Sequence, residues 1–286
     1  MKAIACRLLA ATVLISLPAS VSAHRQWLLP SITTLSGTDG WVSVDAAISN
    51  DLFHADHFAM PTNGIKVWAP DGTPGEIQNA ATGRYRSVFD VQLTKPGTWK
   101  IGTMSSNVSG TFKLKGENWS VGRRRGPPPG SAGAAAARPH SGAAAADIPA
   151  GATDLKLVES LGRNEIFVTS GAPTKTVLQP SGKGLEFDPV THPNDLVADE
   201  PARFRFLVDG KPAAGLKVTV VPGGKRFRNS EEAQQLTTGA DGIVEVRWPM
   251  PGFYWVNATT TDNRPSVERA TERRMSYTTT LEVPAP

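Results

Sequence analysis

The stretch Tyr85-Arg86-Ser87-Val88-Phe89-Asp90-Val91-Gln92-Leu93 puts Phe89, Val91 and Leu93 on one side of an extended chain and polar residues on the other. A period of two fits a half-buried β-strand and no helix. The pattern recurs in Trp41-Val42-Ser43-Val44-Asp45 and in Arg203-Phe204-Arg205-Phe206-Leu207-Val208. Turn-forming groups stand between such runs: Pro70-Asp71-Gly72, Lys95-Pro96-Gly97, Asp209-Gly210, Asp241-Gly242 and Pro251-Gly252. Proline presets one backbone angle and glycine accepts positive φ, so these positions reverse the chain. No window shows a helical apolar period of useful length. The chain is therefore expected to be all-β and built from β-sandwiches.

Two units are expected. The first covers residues 24–182, and its strands resume after Leu155 with Ile166-Phe167-Val168-Thr169 and Thr176-Val177-Leu178. The second, residues 183–286, has the strand spacing of an immunoglobulin-like or prealbumin-like sandwich and ends on a strand from Thr278 to Val283. Residues 121–150 break the pattern with Arg123-Arg124-Arg125, Pro127-Pro128-Pro129 and Gly, Ser and Ala repeats. That composition cannot bury a core, so a disordered loop inserted in the first unit is expected. Its arginines read as solvated, or as a contact for an anionic envelope partner.

Residues 1–23 read as a secretory signal peptide. Lys2 and Arg7 precede an apolar run from Leu8 to Leu17, and Val21-Ser22-Ala23 offers a small-x-small cleavage site. The run is too short to span a membrane, and no later one would anchor the mature chain. The one cysteine, Cys6, lies in this leader. The mature protein would then hold no disulfide, thiolate metal site or cysteine nucleophile, which fits a bacterial periplasm. The net charge of +4, to which Lys2 and Arg7 contribute, does not suggest nucleic-acid binding.

Cleavage after Ala23 would make His24 the first residue. It would then offer two nitrogens, its α-amine and its ring Nδ1. The amine has a reference pKa of about 7.7–8.0, so a metal can displace its proton near neutrality. One more imidazole completes a T-shaped set of three nitrogens, the histidine brace, which suits Cu(II). The mature chain has five histidines: His24, His54, His57, His140 and His192. His54-Ala55-Asp56-His57 holds the only close pair. On a strand the two would face opposite ways. Their flanks, Asn50-Asp51 and Met60-Pro61, suggest an irregular loop that permits convergence. His57 is the preferred partner of His24 and His54 the second choice, with Asp56 as an axial or orienting group. The plain alternative is that these are ordinary polar loop residues. Asp45 and Asp51 would make a harder, oxygen-containing site for nickel or iron. His140 falls in the inserted loop, and His192, before Pro193, is expected at a turn between the units.

Core packing is the default for the seven tryptophans, although an exposed row would stack on a sugar ring or an aromatic chelate. There is no Gly-x-Ser-x-Gly elbow, no phosphate-binding Gly-rich loop and no His-Glu-x-x-His. Hydrolase activity is not expected.

Two stretches carry a family resemblance. One is the start of the mature chain, His24 with Trp27-Leu28-Leu29-Pro30, then Val44-Asp45-Ala46-Ala47-Ile48-Ser49-Asn50-Asp51-Leu52-Phe53. The other is the motif order of the second unit: Gly184-Leu185-Glu186-Phe187-Asp188-Pro189, His192-Pro193-Asn194, Asp209-Gly210-Lys211-Pro212, Thr237-Thr238-Gly239-Ala240-Asp241-Gly242 and Pro251-Gly252. Both resemble the bacterial periplasmic domain-of-unknown-function 4198 family, related to periplasmic parts of nickel-uptake components. The resemblance implies a binding protein for a transition metal or its chelate, accessory to uptake or delivery and working beside an envelope transport protein. Copper, nickel and iron are the metals to consider. The rival readings are a copper-dependent oxidative enzyme acting on polysaccharide and a metal-free envelope interaction module.

Overall fold

The computed structural model describes residues 24–37, 39–122, 140–143 and 148–286. The expected signal peptide and most of the expected insertion, residues 123–139 and 144–147, lie outside them.

The fold is all-β. Ser87–Leu93 is a strand whose burial alternates as its sequence does. It pairs antiparallel with Gly40–Ser49, and Arg25–Pro30 pairs with the other side of Gly40–Ser49. From this sheet Val42, Val44, Phe89, Val91 and Leu93 face a second layer that supplies Ile65, Val67, Trp99, Ile101, Ile166 and Val168. That is the core of the first sandwich. The second pairs Leu185–Pro189, Ala202–Val208 and Ile243–Val246 as one sheet. They face Lys217–Pro222, Gly252–Asp262 and Glu272–Val283 across a core that includes Phe187, Phe204, Phe206, Val220, Trp248, Tyr254 and Tyr277.

The two units share a sheet. Gly97–Leu114 and Thr153–Ser170, each of 18 residues, pair antiparallel along most of their length. One half of this pair lines the first core. The other half continues past it, where Thr153–Ser170 pairs parallel with Glu272–Val283 from Val158↔Glu272 to Glu165↔Thr279. One eleven-stranded sheet thus passes through both sandwiches, and the two units divide in their cores and not in that sheet. Gly110, with φ of 151°, stands opposite Leu157 in this pair. A Cβ there would stand 1.9 Å from the Lys156 carbonyl oxygen, so only glycine fits.

The last strand begins at Glu272, six residues before the expected start at Thr278. Arg273 is buried in that added part, where its charge hid the strand from an apolar pattern. The ends of the expected insertion are also ordered. Val121 closes the strand Glu117–Val121, and Val121 and Ile148 pack with Phe112 and Leu157 in a small separate core. Residues His140–Ala143 pair parallel with that strand.

His192 joins the units. Its Nε2 lies 3.1 Å from the Thr174 carbonyl oxygen and 3.1 Å from Thr98 Oγ1. Its Nδ1 accepts from the Asn194 backbone N–H at 3.1 Å. These contacts define a neutral imidazole protonated on Nε2. Burial pushes its pKa below the ordinary value, outweighing the Thr174 hydrogen bond and the Asp195 charge. A histidine whose folded pKa lies below its unfolded one excludes a proton on folding. Stability is therefore whole above about pH 6.5, the unfolded value, and falls as pH drops from there to the folded value. Urea unfolding from pH 5 to 7 is expected to show this slope, and His192→Gln to flatten it. An equal slope in the variant would assign the pH dependence elsewhere.

Candidate metal centre

His24 immediately precedes the strand Arg25–Pro30, whose Arg25 is paired with Ser49. The chain then leaves Gly40–Ser49, loops through residues 50–57, and returns at Phe58–Ala59 to pair with Ile48 and Ala47. Residues 24 and 57 therefore both lie at the end of one strand. Their imidazoles stack, with centroids 3.6 Å apart and planes 11° from parallel. Phe58, which is largely exposed, lies against His57 at 4.0 Å.

The loop is fixed from inside and from the second sandwich. Ser49 Oγ donates to the Asp51 carbonyl oxygen at 2.5 Å, and that oxygen accepts the His54 N–H at 3.3 Å. Asp56 closes the loop by accepting the Asn50 backbone N–H at 2.9 Å and its side-chain amide at 3.4 Å. Burial raises the Asp56 pKa, but the bonds from Asn50 and Asp51 and the nearby His54 bring it below the ordinary carboxylate value. Phe53 adopts φ of 60°, uncommon for a bulky residue. Its ring is held edge-on by Trp27 at 5.7 Å and Phe253 at 6.4 Å. Beneath it Trp27, Ala47 and Leu52 from the first unit bury against Val221 and Trp255 from the second. Around the rim Arg25 pairs with Glu231 and lies over Trp255, and Lys225 pairs with Asp51 at 3.0 Å. The Trp255 indole N–H donates to the Gln26 carbonyl oxygen at 3.1 Å.

Of the expected ligands, the fold brings His24 and His57 together and leaves the others engaged elsewhere. His54 Nδ1 faces Arg226 Nη1 at 3.2 Å, which holds that ring against a guanidinium. Asp56 is spent on Asn50, so it orients the loop and not an imidazole. Asp51 pairs with Lys225, and Asp45 pairs with Arg86 at 3.2 Å. His192 is the buried junction residue already described, and His140 lies on the distal strand paired with Trp119. Among the described residues no group of three or more His, Cys, Asp and Glu side chains could hold a metal ion. A metal at this place needs a third donor of another kind, and a free His24 amine is one.

The donor set fits a metal with one adjustment. Imidazole lone pairs lie in the ring plane, so two rings stacked face to face cannot aim at one ion. One ring must turn between staggered side-chain wells. In the full chain the His24 nitrogen is also bound in the peptide from Ala23; cleavage would free both the nitrogen and the ring's setting. Sequence reasoning missed Lys225, Arg226 and Phe53. The Gly223-Gly224 pair ahead of the two basic residues was the available signal, since a Cβ at Gly223 would stand 2.8 Å from the Phe53 ring.

These features define an all-β protein of two sandwiches with a histidine pair at the junction of the two units. The chain belongs to the DUF4198 family, a domain of unknown function, whose model matches residues 21–262 and so includes the histidine loop. No curated protein matches. Among solved structures, the D0-D1 domain of intimin is 10% identical, with 90% of this chain and 97% of that one covered at a TM-score of 0.19. The human OSCAR ligand-binding domain is 10% identical, covering 92% and 100% at 0.19. Escherichia coli alpha-2-macroglobulin activated by porcine elastase is 14% identical, covering 90% and 20% at 0.21.

Proposed function

We propose that the chain, cut after Ala23, is a periplasmic protein that binds a transition metal for uptake or delivery. Copper is held by the amine and ring of His24 and the ring of His57. The observation that carries this reading is the ring contact at 3.6 Å between the residue after the cleavage site and a loop histidine 33 positions later. Three nitrogens in a T favour Cu(II), which also heads the affinity order of the divalent ions. The loop's anchorage on Trp27, Val221 and Trp255 presents His57 without a large ordering cost. Nickel and iron are weaker candidates for this donor set, since both carboxylates that would harden it are paired with cations. A role in uptake rests on the family's resemblance to nickel-uptake components.

Copper titration of the mature protein tests the reading. His57→Ala is expected to lower Cu(II) affinity by more than about 100-fold, beyond the range for loss of a merely orienting group. His54→Ala is expected to lower it by less than about tenfold. Equal losses in the two variants, or none in His57→Ala, would remove His57 from the site.

A further inference from the structure

We propose that a hydroxyl-lined trough on the large sheet binds an acidic saccharide. The trough has a volume of about 400 Å³, within the range of small-ligand sites. Its floor and walls come from neighbouring strands in register. Ser105 pairs with Gly162, Gly162 with Ser276, and Ser276 with Thr259. One row further along, Ser160 pairs with Arg274 and Arg274 with Thr261. Strands lie about 4.8 Å apart, so these rows present short hydroxyl side chains as a flat lattice. Gly162 makes the notch: a Cβ there would stand 2.8 Å from Ser105 Oγ and 3.3 Å from Ser276 Oγ.

The inner end of the trough is polar too. Gln26, on the strand that packs over this sheet, lines it. Asn164 lies two residues beyond Gly162 on the same face and is fully buried. Neither its Oδ1 nor its Nδ2 has a hydrogen-bond partner among the described residues. With no exposed surface, Asn164 does not line the trough and meets no ligand in it.

The lining selects the ligand class. Hydroxyls and amides both donate and accept, as do the vicinal hydroxyls of a sugar. An apolar molecule would strip these groups of water and pair none of them. Among the described residues no Asp or Glu lines the trough, and Arg274 contributes a fork that matches a carboxylate. Arg274 Nε is on Glu272 at 2.5 Å, which steadies the guanidinium. Among the described residues no aromatic ring lines the trough, so recognition runs through hydrogen bonds and the arginine, not through stacking.

The test is calorimetric titration of the metal-free mature protein with tri-galacturonate. The metal is left out so that the result is independent of the copper titration. Saturable binding is expected. Arg274→Gln and Ser105→Leu, both at exposed positions that leave the cores untouched, should each weaken it at least tenfold. Neutral galactotriose should bind the native protein and the Arg274→Gln variant alike. No saturable binding of tri-galacturonate, or unchanged binding in Ser105→Leu, would overturn the proposal. A loss of galactotriose binding in Arg274→Gln equal to that of tri-galacturonate would overturn the role of the carboxylate.

Discussion

A mature protein carrying one extra residue before His24 is expected to lose more than about 100-fold in Cu(II) affinity while folding normally. The extra residue converts the His24 amine to an amide. That removes one nitrogen outright and breaks the chelate in which amine and Nδ1 grip the ion from a single residue. Loss of an orienting group alone costs about 10–100-fold, so loss of a direct donor should exceed it. The fold should not respond, because His24 is exposed and stands just outside the strand Arg25–Pro30. Anchorage begins with Arg25 on Glu231 and Trp27 in the shared core. Unfolding curves of the two forms should therefore coincide without copper and separate when it is added, because only a ligand bound to the native state stabilises it. Coincident curves with copper present would mean that the amine is not a ligand.

Replacing Arg273 by Met is expected to destabilise the protein by roughly 3 kcal/mol, the low end for breaking a buried ion pair. The guanidinium is buried between two carboxylates. It donates to Asp209 at 3.1 and 2.6 Å and to Asp262 at 3.0 and 2.6 Å. Asp209 also accepts the Gly184 N–H at 2.9 Å, so the network pins the start of the second sandwich to the last strand. Met keeps the length of the side chain and leaves two carboxylates without their cation. The low end applies because both acids keep partial contact with water, 31% and 19% of their side chains, and Arg264 stands nearby. The hydrogen bond from Arg273 is the main reason that Asp262 is pulled down to about 2 and Asp209 below the ordinary value. A depressed carboxylate contributes stability that is whole above its unfolded pKa of about 3.9 and is lost as pH falls through its folded value. The gap between native and variant in urea midpoint should therefore be widest at neutral pH, narrow below about pH 3.9 and close as pH falls through about 2. A variant as stable as the native protein at pH 7 would show that the network is solvated and contributes nothing.

The alternating runs were legible because one face of each is uniformly apolar. Phe89, Val91 and Leu93 gave the strand Ser87–Leu93, and Phe204 and Phe206 gave Ala202–Val208. The shared sheet was not legible for the opposite reason. Its strands bury Glu159, Asn164, Glu165 and Arg273, and such residues read as loop or surface when their partners are unseen. Glu165 Oε2 accepts the Tyr277 hydroxyl at 2.9 Å, 112 positions away. The tryptophan default held for Trp27, Trp99, Trp248 and Trp255, which are buried, and not for Trp41, which is 45% exposed. At the candidate site, the irregular loop around His54 and His57 could be read from Asn50-Asp51 and Met60-Pro61. The choice between the two histidines could not. It depends on the pairing of Phe58 with Ile48 and on Arg226 reaching His54 from 172 residues away.

The most direct test is electron paramagnetic resonance of Cu(II) bound to protein shown by mass to begin at His24. The account predicts one bound copper with nitrogen splitting from three donors, lost when a residue is added before His24. A protein that begins at His24 and takes up no copper, nickel or iron would contradict it.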